Sequence, residues 1–271
     1  MIKLSLFLLF WAGLSVSLSA QNWCTSPEKA KQLAQANNKL IMVDFWAHWC
    51  GPCKKLDSEV WSDPAVQKAM QGFIPLKIDV DQNRNLALSY GVTGIPAVYF
   101  IDCYGQVVHK ITSSLTTNSL LKEMNHLPAE VGTVYEELHL IKQEAPDEKD
   151  YLKAGLLLQQ NLSGADQPFK KYLKQESDRC FKHILKKDPH IAEEGIEQME
   201  LYLLLNEVWM GRSKKAIKQL VNKKGLDTIG EMNKNLAFYI LAQAYDDQKM
   251  TEECAKYEGL ISGDVFQLLN K

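Results

Sequence analysis

Two cysteines three positions apart, Cys50 and Cys53, stand directly after an apolar stretch of the chain. Thiols at this spacing lie on one face of a helix, so they can close a disulfide with each other. The free amides at a helix start favour a thiolate, and such surroundings lower a cysteine pKa from about 8.5 to roughly 3.5–7.5. The pair therefore predicts a redox-active dithiol, with Cys50 as an exposed nucleophile in the first helical turn and Cys53 as the resolving thiol.

A structural disulfide and half of a zinc site are the alternatives for this pair. A four-thiol zinc site needs a second Cys-x-x-Cys pair. The other cysteines are scattered singly, and so are the histidines of the second half of the chain: Cys24, Cys103, Cys180, Cys254, His126, His139, His183 and His190. No metal site is therefore predicted. The four single cysteines are expected to be structural or free thiols, and the sequence does not choose a pairing among them.

The dithiol must be positioned by the segments on either side of it. Leu40 to Phe45 reads as a mostly apolar strand, as expected for a central strand that is covered on both faces. Within it Asp44 is anomalous, because a buried carboxylate is costly unless it is paired or protonated. An exposed aspartate at the end of the strand is the alternative. Beyond the cysteines, a helix is predicted to continue to Trp61.

Several segments around the dithiol resemble the thioredoxin family, in its order and near its spacing. Besides Trp49 to Lys54, they are Val43 to Ala47, Lys77 to Asn83 and Tyr90 to Pro96. The resemblance covers residues 22–127 and implies an α/β thioredoxin fold, with a mixed central sheet flanked by helices. The run that begins at Ser62-Asp63-Pro64 is similar to periplasmic thioredoxin-like domains, such as the C-terminal domain of the DsbD type.

The resemblance also implies roles for individual residues. Asp44 aligns with the buried aspartate that shuttles the proton of the resolving cysteine, here Cys53. Lys77 aligns with the lysine that accompanies that aspartate, although an ordinary solvent-facing lysine is an open alternative. Pro96 aligns with the family's cis-proline, opposite the dithiol.

Substrate contacts are expected on both sides of the dithiol. Proline cannot donate a ladder hydrogen bond, so Pro96 leaves an edge where an extended substrate segment can pair with the backbone of Ile95. Trp49 is expected to be an exposed rim residue, next to Gly51 and Pro52 in the dithiol loop.

The chain begins with one positive charge, a short apolar run and small residues, which is typical of a secretory signal peptide over residues 1–20. Its apolar core is shorter than the about 20 residues of a membrane span, and an uncleaved anchor is the minor alternative. Cleavage near Ala20 predicts a periplasmic or secreted protein, where disulfides persist. The net charge of −2 over 271 residues gives no support for binding nucleic acid.

Residues 131–271 have a different sequence pattern, because apolar residues at helical spacing replace the runs of β-branched residues. Six to eight antiparallel helices are predicted, as an irregular bundle or a weakly tetratricopeptide-like domain. Asn235 to Tyr245 faintly resembles one such repeat, without a second copy at a 34-residue period. This half has no catalytic constellation, and it could recruit a partner, shape substrate choice or mediate dimerisation. The oligomeric state is not indicated.

These features predict an extracytoplasmic thiol-disulfide oxidoreductase that reduces protein disulfides. Gly51-Pro52 and Ile95 resemble the reducing members of the family, and His48 lies before the dithiol loop rather than within it. A disulfide oxidase or isomerase, or a redox-regulated binding protein whose helical half recruits partners, is the alternative. No cofactor is expected beyond the Cys50–Cys53 disulfide. The expected partners are protein thiols and disulfides and an upstream electron donor, for which a membrane thiol reductant carrier is one candidate.

Overall fold

The computed structural model describes residues 23–111, 115–187, 191–263 and 265. The predicted signal peptide, residues 1–20, lies outside this part of the chain, and so does His190. Among the helices that are described, none is both long enough and apolar enough to cross a membrane.

Helices and strands alternate over the first half of the described chain. In order they are α1 Pro27–Asn37, β1 Leu40–Trp46, α2 Gly51–Leu56, α3 Pro64–Met70, β2 Phe73–Asp79, α4 Arg84–Ser89, β3 Ala97–Ile101, β4 Val107–Ile111 and α5 Thr117–Asn125. A π-helical turn, Asp57–Trp61, continues α2 without a break. The predicted β1 is thus confirmed and extends one residue further, to Trp46.

The four strands form one mixed sheet in the order β2-β1-β3-β4. Strand β1 pairs in parallel with β2 and antiparallel with β3, and β4 pairs antiparallel with β3. Strand β1 is central, and its residues from Leu40 to Phe45 are all buried, as a strand covered on both faces requires. The thioredoxin fold predicted from the family resemblance is confirmed.

Local sequence signals explain where the first helices begin. The Ser26 side chain accepts a hydrogen bond from the Lys29 amide, and Pro27 fills the first turn of α1, where no amide hydrogen is needed. Asp63 caps α3 in the same way. The dithiol helix differs from the prediction. Cys50 is its N-cap rather than a first-turn residue, and α-helical geometry ends at Leu56.

The second half of the chain is helical. Within the described residues it contains seven α-helices, which agrees with the predicted six to eight: α6 Val134–Lys142, α7 Glu148–Gly164, α8 Phe169–Lys187, α9 Glu193–Trp209, α10 Ser213–Ile217, α11 Glu231–Asp247 and α12 Thr251–Glu258. One apolar core runs from Ala30 in α1 to Cys180 in α8. The helices up to α8 therefore share one core with the sheet, and the domain limits 22–127 and 131–271 stay a prediction.

The helical half contacts the end of the sheet that is opposite to the dithiol. The Tyr135 hydroxyl donates to the Lys39 carbonyl and the Val131 amide to the Asn38 carbonyl, both at 2.7 Å and both where β1 begins. The dithiol follows the other end of β1. At about 3.3 Å per residue, this seven-residue strand separates the two regions by roughly 20 Å.

Asp102, at the same far end, joins the two halves through its carboxyl group. It follows β3 and is 1% exposed. One carboxyl oxygen accepts hydrogen bonds from the amides of Tyr104 and Gln106, and the other accepts one from the hydroxyl of Tyr172 in α8 at 2.7 Å. Burial raises the pKa of this carboxyl above its ordinary value.

We expect Tyr172→Phe to destabilise the protein by about 1–3 kcal/mol, because it leaves one buried carboxyl oxygen of Asp102 without its side-chain donor. Urea unfolding followed by circular dichroism measures this loss. Tyr151→Phe is the matched control, since the Tyr151 ring stacks on His183 and is partly exposed. Equal stability of the Tyr172→Phe protein and the wild type would show that the bond contributes nothing to the junction.

Candidate active site

Cys50 and Cys53 form a disulfide at the start of α2. Their Cα atoms are 5.3 Å apart, and the Cys50 sulfur accepts a hydrogen bond from the Cys53 amide at 3.1 Å. Each residue is only 3% exposed. The expectation of an exposed Cys50 is therefore wrong for this oxidised form. As an N-cap, Cys50 turns its side chain back over the first helical turn, where Ala47 and Ile95 pack against the disulfide.

The rim above the disulfide matches the expectation for Trp49, whose side chain is 68% exposed. Gly51 and Pro52 are exposed beside it. The Trp49 indole N–H donates to the Asp81 carboxylate at 2.8 Å, so a residue after β2 fixes the orientation of this ring. The sequence did not single out Asp81, because the contact joins residues that are 32 positions apart.

A groove of about 660 Å³ lies beside the disulfide. Its walls come from the dithiol helix, from Pro96 and from the start of α5: Pro52, Lys55, Leu56, Glu59, Val60, Pro96, Leu115, Thr116, Thr117 and Asn118. The Ile95–Pro96 peptide bond is cis. The ladder between β1 and β3 ends at the pair Phe45–Ala97, so Ile95 and Pro96 lie just beyond it, at the edge of the groove. Pro52 and Pro96 thus line one groove, while Trp49, Gly51 and Ile95 surround the disulfide.

Asp44 is buried, with 2% of its surface exposed, so the alternative of an exposed strand-end residue is wrong. Its Oδ2 accepts a hydrogen bond from the Trp61 indole at 3.1 Å, and the Lys77 ammonium lies 3.7 Å from the same oxygen. Its Oδ1 has no hydrogen-bond partner among the described residues. The carboxyl therefore faces the side of the sheet that the dithiol helix and its π-helical turn cover.

The pKa of Asp44 is raised to about 7, and burial is the largest cause. Removing water penalises the charged form of a carboxyl group. The positive charge of Lys77 opposes this effect, whereas the negative charge of Asp57 adds to it. A carboxyl with such a pKa can both accept and release a proton near neutral pH.

Lys77 is partly buried rather than solvent-facing, with 17% of its side chain exposed. Register places it opposite Asp44 in the parallel pair of β1 and β2. Its ammonium group forms an ion pair with Asp57 in addition to its approach to Asp44. The rings of Trp23 and Trp46 flank the ammonium, with centroids at 5.2 Å and 5.4 Å.

Two partners of this cluster, Asp57 and Trp61, were missed from the sequence as functional residues. Both belong to the π-helical turn that follows α2. The sequence did carry one signal for them. Asp57 lies seven residues after Cys50 and Trp61 lies four residues after Asp57, and residues four apart share a helical face. The face that they present depends on the wider π-helical turn, which the sequence pattern did not indicate.

The other cysteines are separate from this site. Cys24 is partly exposed and Cys103, Cys180 and Cys254 are buried, and all four are free thiols. Burial raises the pKa of Cys103 and of Cys180 to about 12, so both stay protonated and unreactive at neutral pH. Over the described ranges, no group of three or more His, Cys, Asp or Glu side chains could hold a metal ion.

Comparisons with known proteins point to one family. A sequence model of thioredoxin matches residues 21–126. Thioredoxin H4 of Arabidopsis thaliana is 35% identical over 104 residues, which are 38% of this chain and 82% of that protein. Thioredoxin of Chlorobaculum thiosulfatiphilum is 37% identical over 91 residues, 33% of this chain and 80% of that protein.

The thiol:disulfide interchange protein DsbD of Campylobacter jejuni (strain RM1221) is also similar, with 37% identity over 101 residues. The match covers 36% of this chain and spans only 18% of the length of that relative. It therefore concerns one part of a much longer protein.

We expect Asp44→Asn to stabilise the oxidised protein relative to the wild type at pH 8.5 but much less at pH 5. A raised pKa means that the folded wild type holds this proton more tightly than the unfolded chain does, so its stability falls as pH rises from 3.8 to about 7. Each pH unit in that window is worth about 1.4 kcal/mol, and two of these units lie above pH 5, which gives a difference of about 3 kcal/mol between the two conditions.

Urea unfolding at both pH values measures this effect, and the exposed Asp227→Asn is the matched control. A difference between Asp44→Asn and the wild type that stays constant with pH would contradict the raised pKa.

Proposed function

Because this chain belongs, through residues 21–126, to the thioredoxin family of thiol-disulfide oxidoreductases, we propose that it reduces the disulfides of other proteins outside the cytoplasm. The observation that carries the proposal is the Cys50–Cys53 disulfide, which caps α2 beside a groove that is open to solvent. The reduced pair is the proposed electron source, and no further cofactor is needed for the exchange.

In the proposed cycle, the Cys50 thiolate attacks one sulfur of a substrate disulfide. A mixed disulfide forms between Cys50 and the substrate, and the other substrate sulfur leaves as a thiolate. The Cys53 thiolate then attacks the Cys50 sulfur, forms the Cys50–Cys53 disulfide and releases the second substrate thiolate. Two electrons pass from the dithiol to the substrate, whose two sulfurs take up two protons.

Asp44 is the proposed acceptor of the Cys53 proton. It bonds to the π-helical turn that continues the dithiol helix, and its pKa of about 7 suits proton exchange near neutral pH. Lys77 is proposed to assist, because its ammonium group stabilises the charged form of Asp44 after the proton has moved. The Trp61 indole donates to the same oxygen and supports the same charge.

The groove beside Pro96 is the proposed site for an extended substrate segment. Ile95 and Pro96 lie beyond the last pair of the β1–β3 ladder, where the backbone of a substrate can add to the edge. The described residues that line the groove all come before residue 119. The helical half contacts the opposite end of the sheet, so it leaves room for a protein substrate at the disulfide.

The proposed location and electron donor rest on other observations. The apolar start of the chain, residues 1–20, is typical of a signal peptide, and similarity to DsbD agrees with chemistry in the periplasm. A membrane thiol reductant carrier is the proposed source of electrons for the Cys50–Cys53 disulfide. Recruitment of that donor or of substrates is the proposed purpose of the helical half.

We expect the full chain to catalyse the reduction of insulin disulfides by dithiothreitol, with loss of essentially all turnover in both Cys50→Ser and Cys53→Ser. The first variant lacks the nucleophile and the second lacks the resolving thiol. Turbidity of the precipitating insulin B chain measures the rate. Cys103→Ser is the matched control and should keep wild-type turnover, because its thiol is buried. Cysteine-independent turnover, or none in the wild type, would rule out the proposed function.

The direction of exchange is expected to be reductive, with a reduction potential nearer to about −270 mV, the value for thioredoxin itself, than to about −120 mV, the value for the oxidase DsbA. Equilibration of the Cys50–Cys53 pair with defined thiol-disulfide buffers, followed by trapping of the free thiols, measures it. A value near that of DsbA would favour the oxidase alternative instead.

A further inference from the structure

The segment before α1 pairs with the outer edge of the sheet. The Cys24 amide donates to the Pro75 carbonyl, and the Lys77 amide donates to the Cys24 carbonyl, both at 2.9 Å. This isolated parallel bridge adds a short stretch beside β2. It places the preceding residue, Trp23, next to the cluster of side chains around Asp44.

Trp23 contacts two of the groups that act on the Asp44 carboxyl. Its ring meets the Trp61 ring edge-on, with centroids 5.2 Å apart and planes at 72°. The Lys77 ammonium also lies over the Trp23 ring, 5.2 Å from its centroid. Trp61 is the hydrogen-bond donor to Asp44, and Lys77 is its nearest cation.

We propose that Trp23 is a positioning residue of the redox site, which holds Trp61 and Lys77 against Asp44. Its part in catalysis rests on the proposed function, because it acts through proton transfer between Cys53 and Asp44. Its part in setting the environment of Asp44 does not depend on that function.

Trp23 lies at the edge of the sheet and acts on Asp44 in the central strand through Trp61 and Lys77. An edge-on partner fixes the plane of the Trp61 indole, so that its N–H points at Asp44 Oδ2. The faces of Trp23 and Trp46 hold the Lys77 ammonium by cation–π attraction between the carboxylates of Asp44 and Asp57. Without the Trp23 ring, the indole could tilt and the ammonium could move into solvent.

Loss of the Trp23 ring is expected to change the pKa of Asp44 in a definite direction. The groups that face its carboxyl are Lys77 from β2 and Asp57 and Trp61 from the π-helical turn, and burial is the largest influence on its pKa. Lys77 and Trp61 both lower this pKa, by charge and by hydrogen bonding. Movement of these two groups away from Asp44 therefore raises the pKa.

A higher pKa leaves less of Asp44 in the carboxylate form that accepts the Cys53 proton at neutral pH. Resolution of the mixed disulfide should therefore slow at neutral pH, and its rate should reach its plateau at a higher pH than in the wild type. The initial attack by Cys50, which does not use this proton transfer, should change little. A residue with only a structural role would not move the pH profile in this way.

The test uses the full chain with Trp23→Leu, which keeps an apolar side chain but lacks the ring. Titration of the Asp44 carboxyl carbon by NMR in the oxidised protein should give a pKa higher by about 1 or more. Trp23→Phe, which restores a ring, should return most of the wild-type value. Trp209→Leu in the helical half is the matched control and should leave the titration unchanged.

Stopped-flow measurement of mixed-disulfide resolution from pH 5 to 9 gives the second readout, with an expected shift of the profile of the Leu variant to higher pH. Trp23→Met replaces the Leu variant if that protein does not fold. An Asp44 pKa equal to or lower than that of the wild type in the folded ring-less variant would overturn the positioning role. Absence of turnover in the wild type would instead refute the proposed function, while the titration still decides the role of Trp23.

Discussion

A carboxyl group in the middle of a buried, apolar strand constrains everything packed around it. Asp44 can occupy β1 only if hydrogen-bond donors and a cation reach it or if it holds a proton. The register of β2 brings Lys77 opposite to Asp44, and Trp61 of the π-helical turn donates a hydrogen bond to it. That turn is continuous with α2, so the hydrogen bond from Trp61 to Asp44 also ties the helix that carries Cys53 to β1.

The molecule is organised along the direction of β1. The disulfide and its groove lie where this strand ends, whereas Tyr135 and Tyr172 of the helical half bind Lys39 and Asp102 where it begins. One apolar core passes from the sheet into α6, α7 and α8, so these helices are an integral part of the structure. These contacts lie away from the disulfide and leave its groove open.

Local patterns were sufficient for much of the fold and for the dithiol. The cap at Ser26, the apolar run of β1 and the misplaced charge of Asp44 are all visible in consecutive residues. The long-range contacts were not. Tyr172 donates to Asp102 from 70 positions away, and nothing local to either residue indicates that pairing. The position of Trp61 depended on a π-helical turn, a rare departure from α-helical geometry that the local sequence did not indicate.

The short bridge at Cys24 also covers part of the outer edge of the sheet. Strand β2 is an edge strand, and an exposed edge is a template on which another chain can add a strand and begin to aggregate. Pro75 has no amide hydrogen to offer there, while the carbonyl of Pro75 and the amide of Lys77 are already bonded to Cys24. The opposite edge, β4, packs against α8. Both borders of the sheet therefore carry features that limit pairing with other chains.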